Sequence, residues 1–600
     1  MGDKYLKQRK EIAEKYKWDI EAMYPDESQW EKDLEDCLQQ TARFSAYQGH
    51  LTESAKTLAE ALHLHDAIWM KLEHAFVYAH MRKDEDNREA KYQAMDDKCN
   101  TVIAKISASM SFFTPELLEA PEERILSYIE EEPALKTYEF MLKDALREKA
   151  HILTAAEENI LAQLSEVTGA TGEVYTMLND ADMTFGTVTD EDGDTVPLTH
   201  GNYISFMQSH DRKIREAAYT NMYEAYKALI NTLSANYNYN VKTSVVSARI
   251  RKYDSARQAA LSGGNISEEV YDNLISVVHE YLPVLHRYIA LRKKVLGVDE
   301  LKMYDVYVPM VQIPKKEIPY EEAVEIMKKA LAPLGEEYVN QLQKGVDERW
   351  LDVFENQGKT SGAYSFGSYD SKPYVLLNYS SSLQDVFTIV HEMGHSMHSW
   401  YTRANQPFVY GDHSIFTAEV ASTVNESLLM QYLLEKETDP EMKKYLINYY
   451  IEEFRTTLFR QTMFAEFEHM THREVENGGV LTAQWLNSTY DALNTRYFGP
   501  ALSPDSYIQY EWARIPHFYR DFYVYQYATG YSAATAISRK ILTEGSTARD
   551  AYIAFLKSGS SDYPVELLKI AGVDMASPEP IRLAMETFRE LVDQLESLLQ

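Results

Sequence analysis

The 600-residue chain contains only two cysteines, Cys37 and Cys99. That excludes a disulfide framework and any zinc site built from thiolates. Positive charge is scarce too: 60 Lys and Arg stand against 92 Asp and Glu, giving a net charge of −32. A field of that sign repels phosphate backbones, so nucleic acid is excluded as a partner, and the acidity reads as solubility rather than as a substrate funnel. No run of about 18 consecutive apolar residues occurs, and the opening MGDKYLKQRKEIAEKY is charged, with no apolar core of a secretion signal. A cytoplasmic protein that makes no use of a membrane is expected. Glycine (24) and proline (19) are few, well below their usual combined share of about 12%, and few segments alternate with period two. There is no internal repeat or low-complexity stretch. With 45% hydrophobic and 12% aromatic residues, the chain is folded and predominantly helical.

Residues 1–115 read as amphipathic helices with Trp18, Trp30, Leu51, Leu58, Leu62 and Trp69 at recurrent apolar positions. His74 and His80 lie among them without ligand spacing and are expected to be packed or solvated. Residues 116–200 form a second region: helical to about 180, then MTFGTVTDEDGDTVPLT, in which β-branched residues flanking Asp192-Gly193 predict a hairpin. The remainder, 201–600, is expected to be one catalytic region, helical again but broken by a connector at Pro309, Pro314 and Pro319.

In this last region SLQDVFTIVHEMGHSMHSWY, residues 382–401, contains His391-Glu392-Met393-Gly394-His395. Two histidines four apart on a helix are separated by only about 40° around its axis. Val386, Ile389, Val390, Met393, Met397 and Trp400 fall on the opposite face, and Ser382 with Asp385 makes a capping box. The pattern predicts a buried helix presenting two imidazoles that meet one Zn²⁺ at about 2.0–2.1 Å. Glu392 points beside them, where it would take a proton from a zinc-bound water that then attacks a carbonyl. A histidine-bearing surface helix is the competing reading, and the apolar stripe argues against it.

A third ligand is needed. Glu419 and Glu426 lie seven apart on a predicted helix over 414–436. Glu419 follows His395 after a loop's length, and Ala418, Val420 and Ala421 around it suggest burial, which a carboxylate tolerates when a metal holds it. Glu426 would then orient a ligating imidazole. His398 is the rival ligand, although its Cα would lie about 10 Å along the axis from His391. Just upstream, SGAYSFGSYDSKPYVLLNYS (361–380) suggests a loop at Gly362 and an edge strand from Tyr374. The free edge of Tyr374, Val375 and Leu376, with Gly362 nearby, is the expected cradle for an extended peptide; an ordinary edge strand guarded by Pro373 is the alternative. Farther on, RIPHFYRDFYVYQYATGY (514–531) sets seven aromatic residues around His517. Composition alone favours an aromatic core there, with donors to an oxyanion as the functional alternative.

Five blocks carry a resemblance: SGAYS at 361–365, PYVLLNYS at 373–380, DVFTIVHEMGHSMHS at 385–399, FTAEVASTVNES at 416–427 and IPHFYRDFYVYQYATGYSAA at 515–534. In this order they resemble oligoendopeptidase F, a bacterial branch of the thimet-oligopeptidase-like zinc metallopeptidases. The likeness covers roughly residues 200–590, and the amino-terminal part follows more loosely. It implies a mainly α, two-lobed, clam-like peptidase whose deep central channel admits oligopeptides, with a small β element near the zinc helix. It also implies one zinc ion on His391, His395 and Glu419, with Glu392 as base. His517 and a following tyrosine would stabilise the tetrahedral intermediate. Tyr525 is the expected one, eight residues on and so on the same helical face, with Tyr523 and Tyr527 as substitutes. The expected activity is endopeptidase cleavage of oligopeptides; a metallocarboxypeptidase of similar fold and a non-enzymatic peptide-binding protein with a structural metal are the rivals. A monomer and a homodimer both fit the sequence.

Overall fold

The computed structural model describes residues 6–311 and 316–599. Pro314 of the expected connector lies outside the described residues. The protein is 72% helical with a few short strands, which is the mainly α fold expected. Among the described residues no helix is long and apolar enough to cross a membrane. The chain divides into two compact units, each assembled from three separated stretches. One comprises Met1–Ala150, Lys316–Tyr432 and Ile537–Val573, the other His151–Lys315, Leu433–Ala536 and Asp574–Gln600.

The first unit opens with long helices, Glu27–Phe44, Ala55–Glu85 and Ala90–Met110. The first two start where a side chain takes up orphan amides: Asp26 accepts from Ser28 and Gln29, and Ser54 from Thr57. Trp18, Trp30, Leu51, Leu58 and Leu62 are buried as expected, while Trp69 is half-buried. His74 pairs with Asp370 at 2.6 Å and His80 with Asp96 at 2.9 Å. In the second unit the predicted hairpin is present. β1 (Thr187–Thr189) pairs antiparallel with β2 (Thr195–Pro197), and Gly193 supplies the left-handed turn at φ 90°.

A three-stranded sheet stands in front of the histidine helix in the first unit. It contains β3 (Leu351–Asp352), β4 (Tyr364–Phe366) and β5 (Tyr374–Leu376), in the order β3-β5-β4. The expectation that Tyr374, Val375 and Leu376 form an edge is therefore corrected. β5 is the central strand, parallel to β3 and antiparallel to β4, and all three of its residues are buried. Sequence missed this because β3 is only two residues long and pairs at a distance of more than twenty residues. The sheet is tied down by Lys359, whose buried ammonium donates to the carbonyls of Asp352 and Phe354 at 3.1 and 2.8 Å and pairs with the Asp352 carboxylate at 2.7 Å.

The histidine helix runs Leu383–Asn405 and begins with the predicted capping box, Ser382 Oγ accepting from Asp385 N and the Asp385 carboxylate accepting from Ser382 N. Val386, Ile389, Val390, Met393 and Met397 are buried as the stripe predicts; Trp400, near the end, is half-buried. Against it lies the glutamate helix, Ile415–Lys436. At the crossing Gly394 meets main chain: a Cβ there would fall 2.6 Å from Ser422 Cα and 2.9 Å from the Ala421 carbonyl oxygen. Asn425 spans the same contact by donating to the Val390 carbonyl at 3.2 Å, and Tyr338 donates to Asn425 at 3.0 Å.

Because the atoms facing Gly394 are backbone, they cannot rotate away from a methyl group. Gly394→Ala is expected to cost about 1–3 kcal/mol through overpacking, read as a lowered thermal unfolding midpoint. Gly263→Ala, where nothing lies within 4 Å of the new carbon, serves as the control and should leave the midpoint in place. A Gly394→Ala protein melting with the parent would show that the helices are spaced by something else.

Candidate metal centre and its surroundings

The histidine helix and the glutamate helix bring three donors to one point. Nε2 of His391 and Nε2 of His395 are 3.2 Å apart, and Glu419 Oε2 lies 3.4 Å from each. Donors held 2.0–2.1 Å from one tetrahedral centre are separated by roughly 3.3–3.4 Å. The three atoms thus stand at the separations a single zinc-sized ion requires, and among the described residues no fourth His, Cys, Asp or Glu donor joins them. Two imidazoles and one carboxylate are also a donor set suited to zinc.

Two of the donors, His391 and Glu419, have a further polar partner. Glu426 Oε1 is 3.2 Å from His391 Nδ1, which fixes the ring and leaves Nε2 facing the cluster. Ser422, one turn on from Glu419, donates to Glu419 Oε2 at 3.0 Å. The Glu419 carboxylate was expected to be buried; its side chain is instead 50% exposed. The apolar neighbours Val420 and Ala421 do go inward, but successive helix positions point about 100° apart, so their burial does not carry Glu419 with them. Burial would raise the Glu419 carboxyl, and hydrogen bonds with His391 and His395 overturn this and draw it far below the usual range. Burial would likewise depress His391, yet its bonds to Glu419 and Glu426 hold it well above an ordinary imidazole.

Glu392 is 7% exposed, beside the cluster but not part of it. Desolvation pushes its carboxyl upward, opposed by His391 and His395. His398, the rival ligand, is not among the converging donors. It is fully buried and stacked on His413, ring centres 4.2 Å apart at 14°, and burial pushes it well below its ordinary value.

Beside this cluster the exposed edge of the sheet belongs to β4. Val375 and Leu377 donate to the carbonyls of Trp350 and Asp352 on the β3 side. Alternation then turns Tyr374 and Leu376 towards β4, where they face Phe366 and Tyr364. Ser365 consequently directs its N–H and C=O away from the sheet. The strand is fixed by Tyr364 Oη donating to Asp84 at 2.8 Å and by Ser365 Oγ, 2.8 Å from Ser396 Oγ on the histidine helix. Gly362 is the left-handed turn, φ 84°, that leads into β4, and its carbonyl accepts from Asn378 at 2.8 Å.

In the second unit, His517 sits in a short 3-10 turn, Pro516–Tyr519, and a regular helix begins only at Tyr525. Eight-residue spacing therefore does not align Tyr525 with His517. Tyr525 is 2% exposed and packs on Tyr271 at 5.1 Å. The rings that flank His517 are Tyr523, stacked at 6.1 Å, and Tyr527, edge-on at 6.0 Å. Tyr523 and Tyr527, rather than Tyr525, are therefore the tyrosines that stand beside His517. Burial and nearby Arg520 depress the His517 imidazole below its ordinary value.

Residues 205–587 match Peptidase family M3 and residues 116–185 match Oligopeptidase F. Oligopeptidase PepF of Bacillus subtilis strain 168 is 46% identical over 594 residues, covering 99% of this chain and 89% of that protein. A crystal structure of a protein from Chlamydophila abortus superposes with a TM-score of 0.94 at 36% identity, over 99% of this chain and 100% of that one. The crystal structure of oligoendopeptidase-F from Enterococcus faecium gives a TM-score of 0.74 at 38% identity, with 96% and 99% covered.

Metal content separates the donors from their neighbours. After dialysis against zinc and then buffer, elemental analysis should find one zinc per chain, lost in His391→Ala, His395→Ala and Glu419→Ala and kept in His398→Ala. Glu426→Gln should bind about 10–100-fold more weakly.

Proposed function

This chain belongs to peptidase family M3, and from that premise we propose that it is a zinc-dependent endopeptidase that cuts internal bonds of short oligopeptides. The observation that carries the reading is the three-donor cluster at tetrahedral separations, with the buried carboxyl of Glu392 next to it on the same helix. His391, His395 and Glu419 would hold the ion. Zinc, when bound, would acidify a coordinated water and polarise the scissile carbonyl.

The chain's own groups would do the rest. Glu392 takes the water's proton and delivers it to the leaving amine; burial, by raising its carboxyl above an ordinary glutamate, makes it a better base and a competent acid in turn. His517, with Tyr523 and Tyr527, donates hydrogen bonds to the oxyanion of the tetrahedral intermediate. An extended substrate pairs its main chain with Ser365 on the outer side of β4. That Tyr523 and Tyr527 flank His517 while Tyr525 faces the core supports the first two as the donors. The oligopeptide class follows from the relatives, whose names are oligopeptidase and oligoendopeptidase.

Glu392→Gln should keep its zinc and lose about 10²–10⁴-fold in kcat, measured with an internally quenched peptide blocked at both ends. Cleavage of that peptide by the parent is itself required, since an enzyme needing a free carboxylate would leave it intact. His517→Ala should cost about 10²–10³-fold, and Tyr523→Phe or Tyr527→Phe should slow turnover more than Tyr525→Phe does. Normal cleavage by Glu392→Gln would remove Glu392 as the base.

A further inference from the structure

Behind His517 the second unit buries an acid that the proposed chemistry does not use. Glu468, on the helix Arg460–Glu476, is 1% exposed. Its Oε1 accepts the main-chain N–H of Phe522 at 2.7 Å, and its Oε2 has no hydrogen-bond partner. Phe522 is the centre of the irregular link between the turn carrying His517 and the helix beginning at Tyr525. Its φ of 52° is left-handed, a conformation that is unfavourable for an L-residue and rare for a bulky side chain. The surroundings hold that conformation from several sides. The Phe522 ring lies 4.5 Å from His472 and 5.9 Å from Tyr271. The preceding Asp521 accepts from Asn240 at 3.3 Å and from Ser244, and stands 3.6 Å from His472 Nε2.

A half-satisfied buried carboxyl is a poor stabilising device, since an apolar side chain of the same size is often at least as good. What this one does is fix a strained peptide between His517 and Tyr523. We propose that Glu468 is a positioning residue for catalysis: by accepting the Phe522 N–H it sets the backbone reversal that presents His517, Tyr523 and Tyr527 together. Strain held by the surrounding structure at the base of a donor cluster is a recurrent arrangement at functional sites. Burial pushes the Glu468 carboxyl up to about 8, with His472 lowering it and Asp521 raising it. At neutral pH it is mostly protonated, so glutamine is its nearest substitute. The proposal rests on the reading of His517 and its tyrosines as oxyanion donors.

The test is kinetic. Glu468→Gln, Glu468→Met, His517→Ala and the Glu468→Met/His517→Ala double variant are compared with the parent on the doubly blocked peptide, with zinc content and unfolding midpoint recorded for each. Methionine matches the length of glutamate but offers no oxygen to the Phe522 N–H. Glu468→Met should lose about 10–100-fold in kcat, as misplaced catalytic groups do, with KM, zinc content and midpoint close to the parent's. Glu468→Gln should restore kcat. The double variant should be no slower than His517→Ala alone, because the two act through one device. Parent-like kcat in Glu468→Met, multiplying losses in the double variant, or a Glu468→Met protein that fails to fold would each overturn the positioning role. Parent-like kcat in His517→Ala would instead overturn the reading of His517, a result distinguishable from the others.

Discussion

The contact on which the site depends is one without side chains: Gly394 of the histidine helix against Ser422 and Ala421 of the glutamate helix. Helices packed through side chains keep their axes 8–10 Å apart, and glycine lets this pair come close enough for main chain to touch main chain. Asn425 then bonds across the crossing to Val390. The crossing comes one residue before His395 and three residues after Glu419. The spacing of the helices that carry Glu419 and the two imidazoles is therefore set by a contact that no rotamer can relax.

The electrostatics follow from that geometry. One carboxylate faces two imidazoles across 3.4 Å, and a second, Glu426, stands behind His391. Without a cation, protonated imidazole is the species these carboxylates favour, which is why His391 is raised and Glu419 lowered. A bound divalent ion supplies the same positive charge while requiring neutral rings, so metal and protons compete for one set of atoms. Glu392, one residue from His391 yet outside the donor set, is spared that competition.

The local parts of this arrangement were legible in the sequence. The capping box, the two-histidine face, the apolar stripe from Val386 to Met397 and the Asp192-Gly193 hairpin all follow from spacing along one element, and each is present. Glu419 was legible by its distance along the chain, its exposure was not. What eluded sequence reasoning was non-local or irregular. The centrality of β5 depends on two-residue β3, which has no pattern of its own. The placement of Tyr525 away from His517 depends on a break at residues 520–524 whose pivot, Phe522, adopts a left-handed backbone with no glycine or asparagine to signal it. Ser422 could have been found, since a hydroxyl three residues after a candidate ligand on a helix is a natural partner for it.

The outward main chain of Ser365 has a bearing on which bonds such an enzyme can hold. Main-chain pairing is blind to side-chain identity, so an edge that engages a substrate through one N–H and one C=O tolerates almost any residue opposite it. Proline is the exception, because it has no N–H to give and its ring fixes φ. If a substrate pairs there as proposed, a proline opposite Ser365 would forfeit half of that pairing. The edge would then act as a filter defined by what is missing from a peptide, passing the other nineteen amino acids and placing proline-containing stretches outside the enzyme's reach in that register.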